Sequence, residues 1–124
     1  MRRYSIKRII DELISLKEKY KLKFIKFHDE DFLLKPRDYF EEFAERYRRE
    51  VNIPFTWMAN FKFVTEDKVK LLKKMNCVSV PLGVETGDPE IRKNLLNRVD
   101  SLDQIKNAFH LLKKLVSATS FLIW

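Results

Sequence analysis

The sequence predicts a parallel α/β fold, part of a (β/α) barrel with about four strands alternating with helices. Three observations predict it. Helical and strand-like periodicities take turns along the chain, which specifies a parallel sheet with right-handed crossovers. No Gly-x-Gly-x-x-Gly follows any strand, and the only glycines are Gly83 and Gly87; that disfavours the dinucleotide-binding form of the competing open doubly wound sheet. A closed eight-stranded barrel takes about 250 residues, so four strands in 124 residues amount to half of one.

The elements follow in order. Ile6, Ile9, Ile10, Leu13, Leu16 and Tyr20 recur at helical spacing, so Ser5 to Tyr20 is expected to be a helix. Leu22 to Phe27 is short, rich in β-formers and alternating, with Leu22, Phe24 and Lys26 on one phase and Lys23, Ile25 and Phe27 on the other. Pro36 opens a second helix, whose buried stripe is Tyr39, Phe40, Phe43 and Tyr47. Ile53 to Phe61 reads as the second strand. Thr65 is placed to cap a third helix that buries Val69, Leu72 and Met75, with Glu66 and Asp67 in its first turn.

Cys77 to Val84 is the third strand, apolar almost throughout, as suits a strand covered on both faces. Asp88-Pro89-Glu90 begins a short helix. Ser101-Leu102-Asp103-Gln104 is a capping box for a last helix carrying Ile105, Ala108, Phe109, Leu112 and Leu115. Ala118 to Trp124 completes the set as a fourth strand. The chain opens on a helix and closes on an uncapped apolar strand, so the expectation is a single partial domain over residues 1–124 with open edges that favour self-association.

Composition narrows the function classes. Hydrophobic residues at 45% and charged ones at 35% suit a packed core and argue against disorder. The apolar runs are too short to span a bilayer, no secretory leader pattern is visible, and a cytoplasmic setting is the default expectation. A formal charge of +7 raises nucleic acid as a partner, but basic and acidic residues interleave along the helices, as on an ordinary solvated face. The aromatics fall at core spacings and not on an exposed basic strand. Nucleic acid is therefore not the expected partner. The lone Cys77 excludes an internal disulfide and a multi-thiolate site built by this chain alone, and reads as a small buried hydrophobe.

Ligands of parallel α/β folds gather at the carboxyl ends of strands. The first strand ends in His28-Asp29-Glu30-Asp31, a set able to hold a cation or an ammonium group, or to be a solvated acidic loop. The second ends in Asn60 and Lys62. The third ends in the Gly83-Val84-Glu85-Thr86-Gly87 turn, which is read as a ligand-facing corner. Glu85 closes a buried strand, where a carboxylate needs hydrogen-bond donors. A vicinal diol such as a ribose would supply two, and Arg92 or Arg98 would serve instead if the residue only staples the turn. Gly87 allows a turn or a close backbone approach. Arg98 either clamps a carboxylate or lies on the surface.

The run from Gly83 to Arg98, Gly-Val-Glu-Thr-Gly-Asp-Pro-Glu-Ile-Arg-Lys-Asn-Leu-Leu-Asn-Arg, resembles the fourth-strand segment of radical S-adenosylmethionine enzymes. It is most similar to those that carry an N-terminal cobalamin-binding domain and resemble the oxidative cyclases of chlorophyll synthesis. Phe27 to Phe32, Leu71 to Cys77, and Asp103-Gln104-Ile105 with Ala108-Phe109 resemble other segments of that family in the same order. The resemblance implies strands two to five of a TIM-type barrel. It implies Asp29 and Glu30 near the methionyl amine of the cofactor, Asn60 lining the cavity, Glu85 on the ribose and Arg98 on the methionyl carboxylate.

In that family a [4Fe-4S] cluster, held by a Cys-x-x-x-Cys-x-x-Cys loop after the first strand, cleaves the cofactor to a 5′-deoxyadenosyl radical. The loop is not within these 124 residues. The expectation is therefore a fragment or split piece of an enzyme for C–H activation, methyl transfer or cyclisation, with no catalytic residue of its own. It would bind S-adenosylmethionine weakly, leaving the cluster, and cobalamin if used, to the parent enzyme. Two departures stand out: Asn76 where the family often has Gly, and Leu115-Val116-Ser117 where it usually has Ala-Gly-Ile. The alternative is an interaction module whose open edges pair with a partner chain that supplies the remaining strands, with a basic nucleic-acid-binding domain as a lesser one.

Overall fold

The computed structural model describes residues 4–29, 32–98 and 101–115. Helix α1 (Ile6–Tyr20) begins where the Ser5 side chain accepts the Arg8 N–H and ends at Lys21, which takes a left-handed conformation with φ 52°. It buries Ile6, Ile10 and Leu13, but its last turn leaves Leu16 and Tyr20 exposed. Strand β1 is shorter than the alternation suggested, at Ile25–Phe27, and a 3₁₀ turn follows at Phe32–Leu34. Helix α2 (Arg37–Arg46) runs on into a π-helical turn, Tyr47–Val51, so the expected stripe continues through Tyr47, while Tyr39 is only partly buried.

Strand β2 is Phe55–Trp57, with a 3₁₀ turn at Phe61–Phe63. Helix α3 (Glu66–Lys74) starts at Thr65, whose side chain makes no capping bond; Asn76 after it has φ 70°. Asparagine tolerates that left-handed region, which explains how it stands in a position suited to glycine. Strand β3 is Cys77–Ser79, followed by α4 (Pro89–Asn94) and α5 (Leu102–Lys113). Asp88 caps α4 by accepting from Glu90 and Ile91, and Ser101 with Gln104 forms the full capping box of α5. The strand expected over Ala118–Trp124 lies outside the described residues.

The described strands form one parallel sheet in the order β1-β2-β3, the α/β arrangement of a partial barrel. Ile25, Lys26 and Phe27 pair with Phe55, Thr56 and Trp57. Against β3 the register slips, Phe55 pairing with Cys77 and Thr56 with Ser79. Val78 is the extra residue of this irregularity and is 38% exposed, so the described residues do not cover β3 on both faces as its apolar run suggested. Beyond the strands, a parallel bridge joins Ala59 to Leu82.

One face of the sheet carries the aromatic core. Trp57 stacks on Phe27 at 4.2 Å and on Phe32 at 3.7 Å, and meets Phe43 and Phe55 edge-on. Its indole Nε1 donates to the Asp29 carbonyl at 2.6 Å. Tyr47, fully buried, donates its hydroxyl to the Ile53 carbonyl at 2.7 Å. The opposite face is polar: Lys26, Thr56 and Ser79 form one row across the three strands, tied by a 2.7 Å hydrogen bond between the Thr56 and Ser79 hydroxyls.

Truncating Trp57 to Ala removes the centre of this stack and is expected to cost about 3–5 kcal/mol, read as a lower urea midpoint. A second expectation concerns pH. Burial pushes the Cys77 thiol up to about 12 and raises the Tyr47 hydroxyl as well. A raised folded-state value keeps the proton on the native chain, so the stabilisation is complete below the unfolded thiol value of about 8.5. It is lost as pH rises toward about 12. Thermal midpoints should therefore fall through this alkaline window, and Cys77→Val should flatten part of the fall.

Candidate functional site

At the carboxyl end of the sheet lies a cavity of about 310 Å³, at the lower end for small-molecule sites. Its walls come from all three strands. Lys26 enters from β1, Met58, Ala59 and Asn60 follow β2, and Pro81, Leu82, Gly83 and Glu85 follow β3; Arg98, after α4, closes the rim. The bridge from Ala59 to Leu82 sets the second and third walls side by side, with the Ala59 N–H donating to the Pro81 carbonyl at 3.1 Å. Asn60 caps the 3₁₀ turn by accepting the Lys62 N–H on its Oδ1 at 3.1 Å.

The Gly83–Gly87 turn is the most constrained part of the site. Glu85 has φ 66°, and the Thr86 N–H donates to the Val84 carbonyl at 2.8 Å across it. Together these make the rare positive-φ γ-turn, a strained conformation for a residue with a side chain, costing about 1–3 kcal/mol. The four other described non-glycine residues with positive φ, Lys21, Asn52, Asn76 and Asn97, each follow the end of a helix, where such a conformation is ordinary. Among the described residues, Glu85 alone of these follows a strand.

Two arginines hold the turn. Arg92, only 2% exposed, donates through Nη1 to the carbonyls of Val84 at 2.6 Å and Thr86 at 3.1 Å, and its guanidinium lies 5.6 Å from the Phe61 ring centre. Asn97, with φ 49°, folds the chain back after α4 so that the Arg98 N–H reaches the Arg92 carbonyl at 2.7 Å. The Arg98 side chain then donates from Nη1 to the Gly83 carbonyl at 3.0 Å and places Nη2 3.8 Å from Glu85 Oε1. The sequence left Glu85 open to Arg92, Arg98 or a ligand. The structure gives Arg92 to the backbone and sets Arg98 beside Glu85, farther than a hydrogen bond and half in solvent, a weak pairing.

The freedom expected of Gly87 is not used. Its φ is not positive, and a Cβ there would meet no atom within 4 Å. At Gly83 a Cβ would come 3.3 Å from Glu85 Oε1, a tight approach that a small shift of the Glu85 side chain relieves. Of the residues singled out in the sequence, Asn60, Glu85 and Arg98 share the cavity. Asp29 is absent from its lining and engages Trp57 through its backbone; Glu30 lies outside the described residues. His28 is exposed. Lys26 was not singled out; the sequence placed it only in the alternation of the first strand, on the phase of Leu22 and Phe24, and nothing local marked it among the other lysines.

The residues present do not fit an iron–sulfur cluster. Cys77 is the only cysteine, it is buried with its thiol pushed up to about 12, and no group of three metal-ligating side chains occurs among the described residues. Nor is any described helix long and apolar enough to cross a membrane.

Fold and site thus define a parallel α/β protein with a cavity of mixed polar and apolar lining at the carboxyl ends of its strands. The chain matches the Radical SAM superfamily over residues 1–124 and belongs to it; that membership carries with it, in general, S-adenosylmethionine and a [4Fe-4S] cluster. No curated protein matches the chain.

The strain at residue 85 can be measured directly. Glu85→Gly and Glu85→Ala both remove the carboxylate, but only glycine takes φ 66° freely. Glu85→Gly is expected to be the more stable of the two by about 1 kcal/mol in urea unfolding.

Proposed function

We propose that this chain forms one wall of an S-adenosylmethionine pocket in a radical enzyme, with Glu85 receiving the ribose hydroxyls. The observation that carries this reading is the presentation of Glu85. A strained γ-turn presents a half-exposed carboxylate in the cavity lining. Strain of this kind persists where the surroundings enforce it and a function uses it. The two oxygens of one carboxylate match the two donors of a vicinal diol. Asn60 offers amide donors on the neighbouring wall, and the resemblance puts Asp29 and Glu30 toward the methionyl amine.

The cofactor, when bound to a complete enzyme of this superfamily, supplies the radical that abstracts hydrogen. This chain's residues bind and orient it. The cluster thiolates come from outside these 124 residues, in a longer polypeptide or a partner chain. The parent reaction is a C–H activation, methyl transfer or cyclisation, and the Gly83 to Arg98 run supports kinship with the cobalamin-carrying members. One observation favours a second reading as an interaction module: the outer edge of β1 is unpaired among the described residues and bears Phe24, 51% exposed, beside it.

Calorimetric titration with S-adenosylmethionine tests the pocket. Glu85→Ala should weaken binding by about tenfold to a hundredfold, the value of hydrogen bonds to a charged group. Equal heats from the parent and the variant would remove Glu85 from the ribose role.

A further inference from the structure

We propose that Lys26, and not Arg98, receives the carboxylate at the amino-acid end of the ligand. The proposal rests on the cavity being an S-adenosylmethionine pocket, and three observations carry it.

Arg98 is committed. Its Nη1 holds the Gly83 carbonyl at 3.0 Å and its Nη2 stands 3.8 Å from Glu85 Oε1. A ligand carboxylate laid on that guanidinium would sit next to the Glu85 carboxylate, and like charges at such range repel.

Among the described residues, Lys26 is the one cavity-lining cation without a carboxylate beside it. It lines the same cavity and makes no ion pair or hydrogen bond among the described residues. Register fixes its direction: paired with Thr56, it belongs to the polar face, while its neighbour Phe27 stacks on Trp57 on the other.

The spacing fits a ligand with two polar ends. Ribose and methionyl carboxylate are separated by the sulfonium and the whole amino-acid side chain. Glu85 and Arg98, 3.8 Å apart on one wall, are too close together to hold both ends of an extended molecule. Lys26 belongs to β1 and Glu85 follows β3, with β2 between them, so their strands are about 10 Å apart. Arg98 becomes a positioning residue, which holds the Gly83 carbonyl and orients Glu85.

Calorimetry with two probes separates the roles: S-adenosylmethionine, and its decarboxylated form, which keeps the adenosine, sulfonium and amine. The parent should bind the carboxylate form about tenfold tighter, the worth of one charged contact. Lys26→Met should erase that difference without weakening the decarboxylated form, and Lys26→Arg should keep it. Arg98→Met should weaken both probes alike. Persistence of the difference in Lys26→Met, or its loss in Arg98→Met alone, overturns the assignment, as would equal binding of the two probes by the parent. A parent that binds neither probe defeats the pocket reading itself, and this assignment with it. Unchanged circular dichroism of each variant keeps loss of fold from imitating loss of contact.

Discussion

Trp57 is the residue on which the arrangement of this domain depends. Its ring is sandwiched between Phe27 of β1 and Phe32 of the following 3₁₀ turn, with α2 reaching it through Phe43. Its indole N–H holds the Asp29 carbonyl. One side chain thus joins the first two strands, the loop leaving β1 and the helix that covers them. Large aromatic rings bury more apolar area than any other side chain and dominate such cores. With this face sealed by packing, the opposite face of the same short strands is left for polar residues, and the cavity forms there.

The Glu85 turn is built on the reverse logic. Packing does little for it, and backbone carbonyls are held in place by arginines instead. Arg92 gathers the carbonyls on either side of Glu85, and Arg98 takes the Gly83 carbonyl. Such charge-assisted bonds to backbone are stronger than neutral ones, which suits a segment that must offset an unfavourable φ. The short helix α4 and the left-handed Asn97 exist in the sequence between them as the geometry that returns Arg98 to the turn.

Most helices were legible because their signals are local. Asp88 and the Ser101–Gln104 box cap as expected, whereas Thr65 makes no side-chain capping bond; the buried stripes of α1, α3 and α5 follow the helical period, with Ile9, Leu16, Tyr20 and Phe109 exposed or half-buried. The strands were legible in place and not in length. Their apolar runs also serve loops that pack on the core, as Phe61 does in a 3₁₀ turn, and a run of apolar residues does not say where the ladder stops. The site was partly legible: a carboxylate and an arginine near a strand end can be picked out by type, whereas Lys26 looked like one of many lysines until pairing showed which face it takes.

The sequence by itself determined the alternation of elements, the parallel α/β class and the superfamily resemblance, since these rest on periodicity, caps and contiguous motifs. Only the tertiary structure decided which residues meet. It put the strain on Glu85 and not on the glycines, gave Arg92 to the turn's carbonyls and Arg98 to Glu85's side, and turned Lys26 into the cavity. The physical reason is that these outcomes depend on strand register and on contacts between residues distant in the chain. Register is settled by the packing of one whole face against its helices, which no local pattern contains.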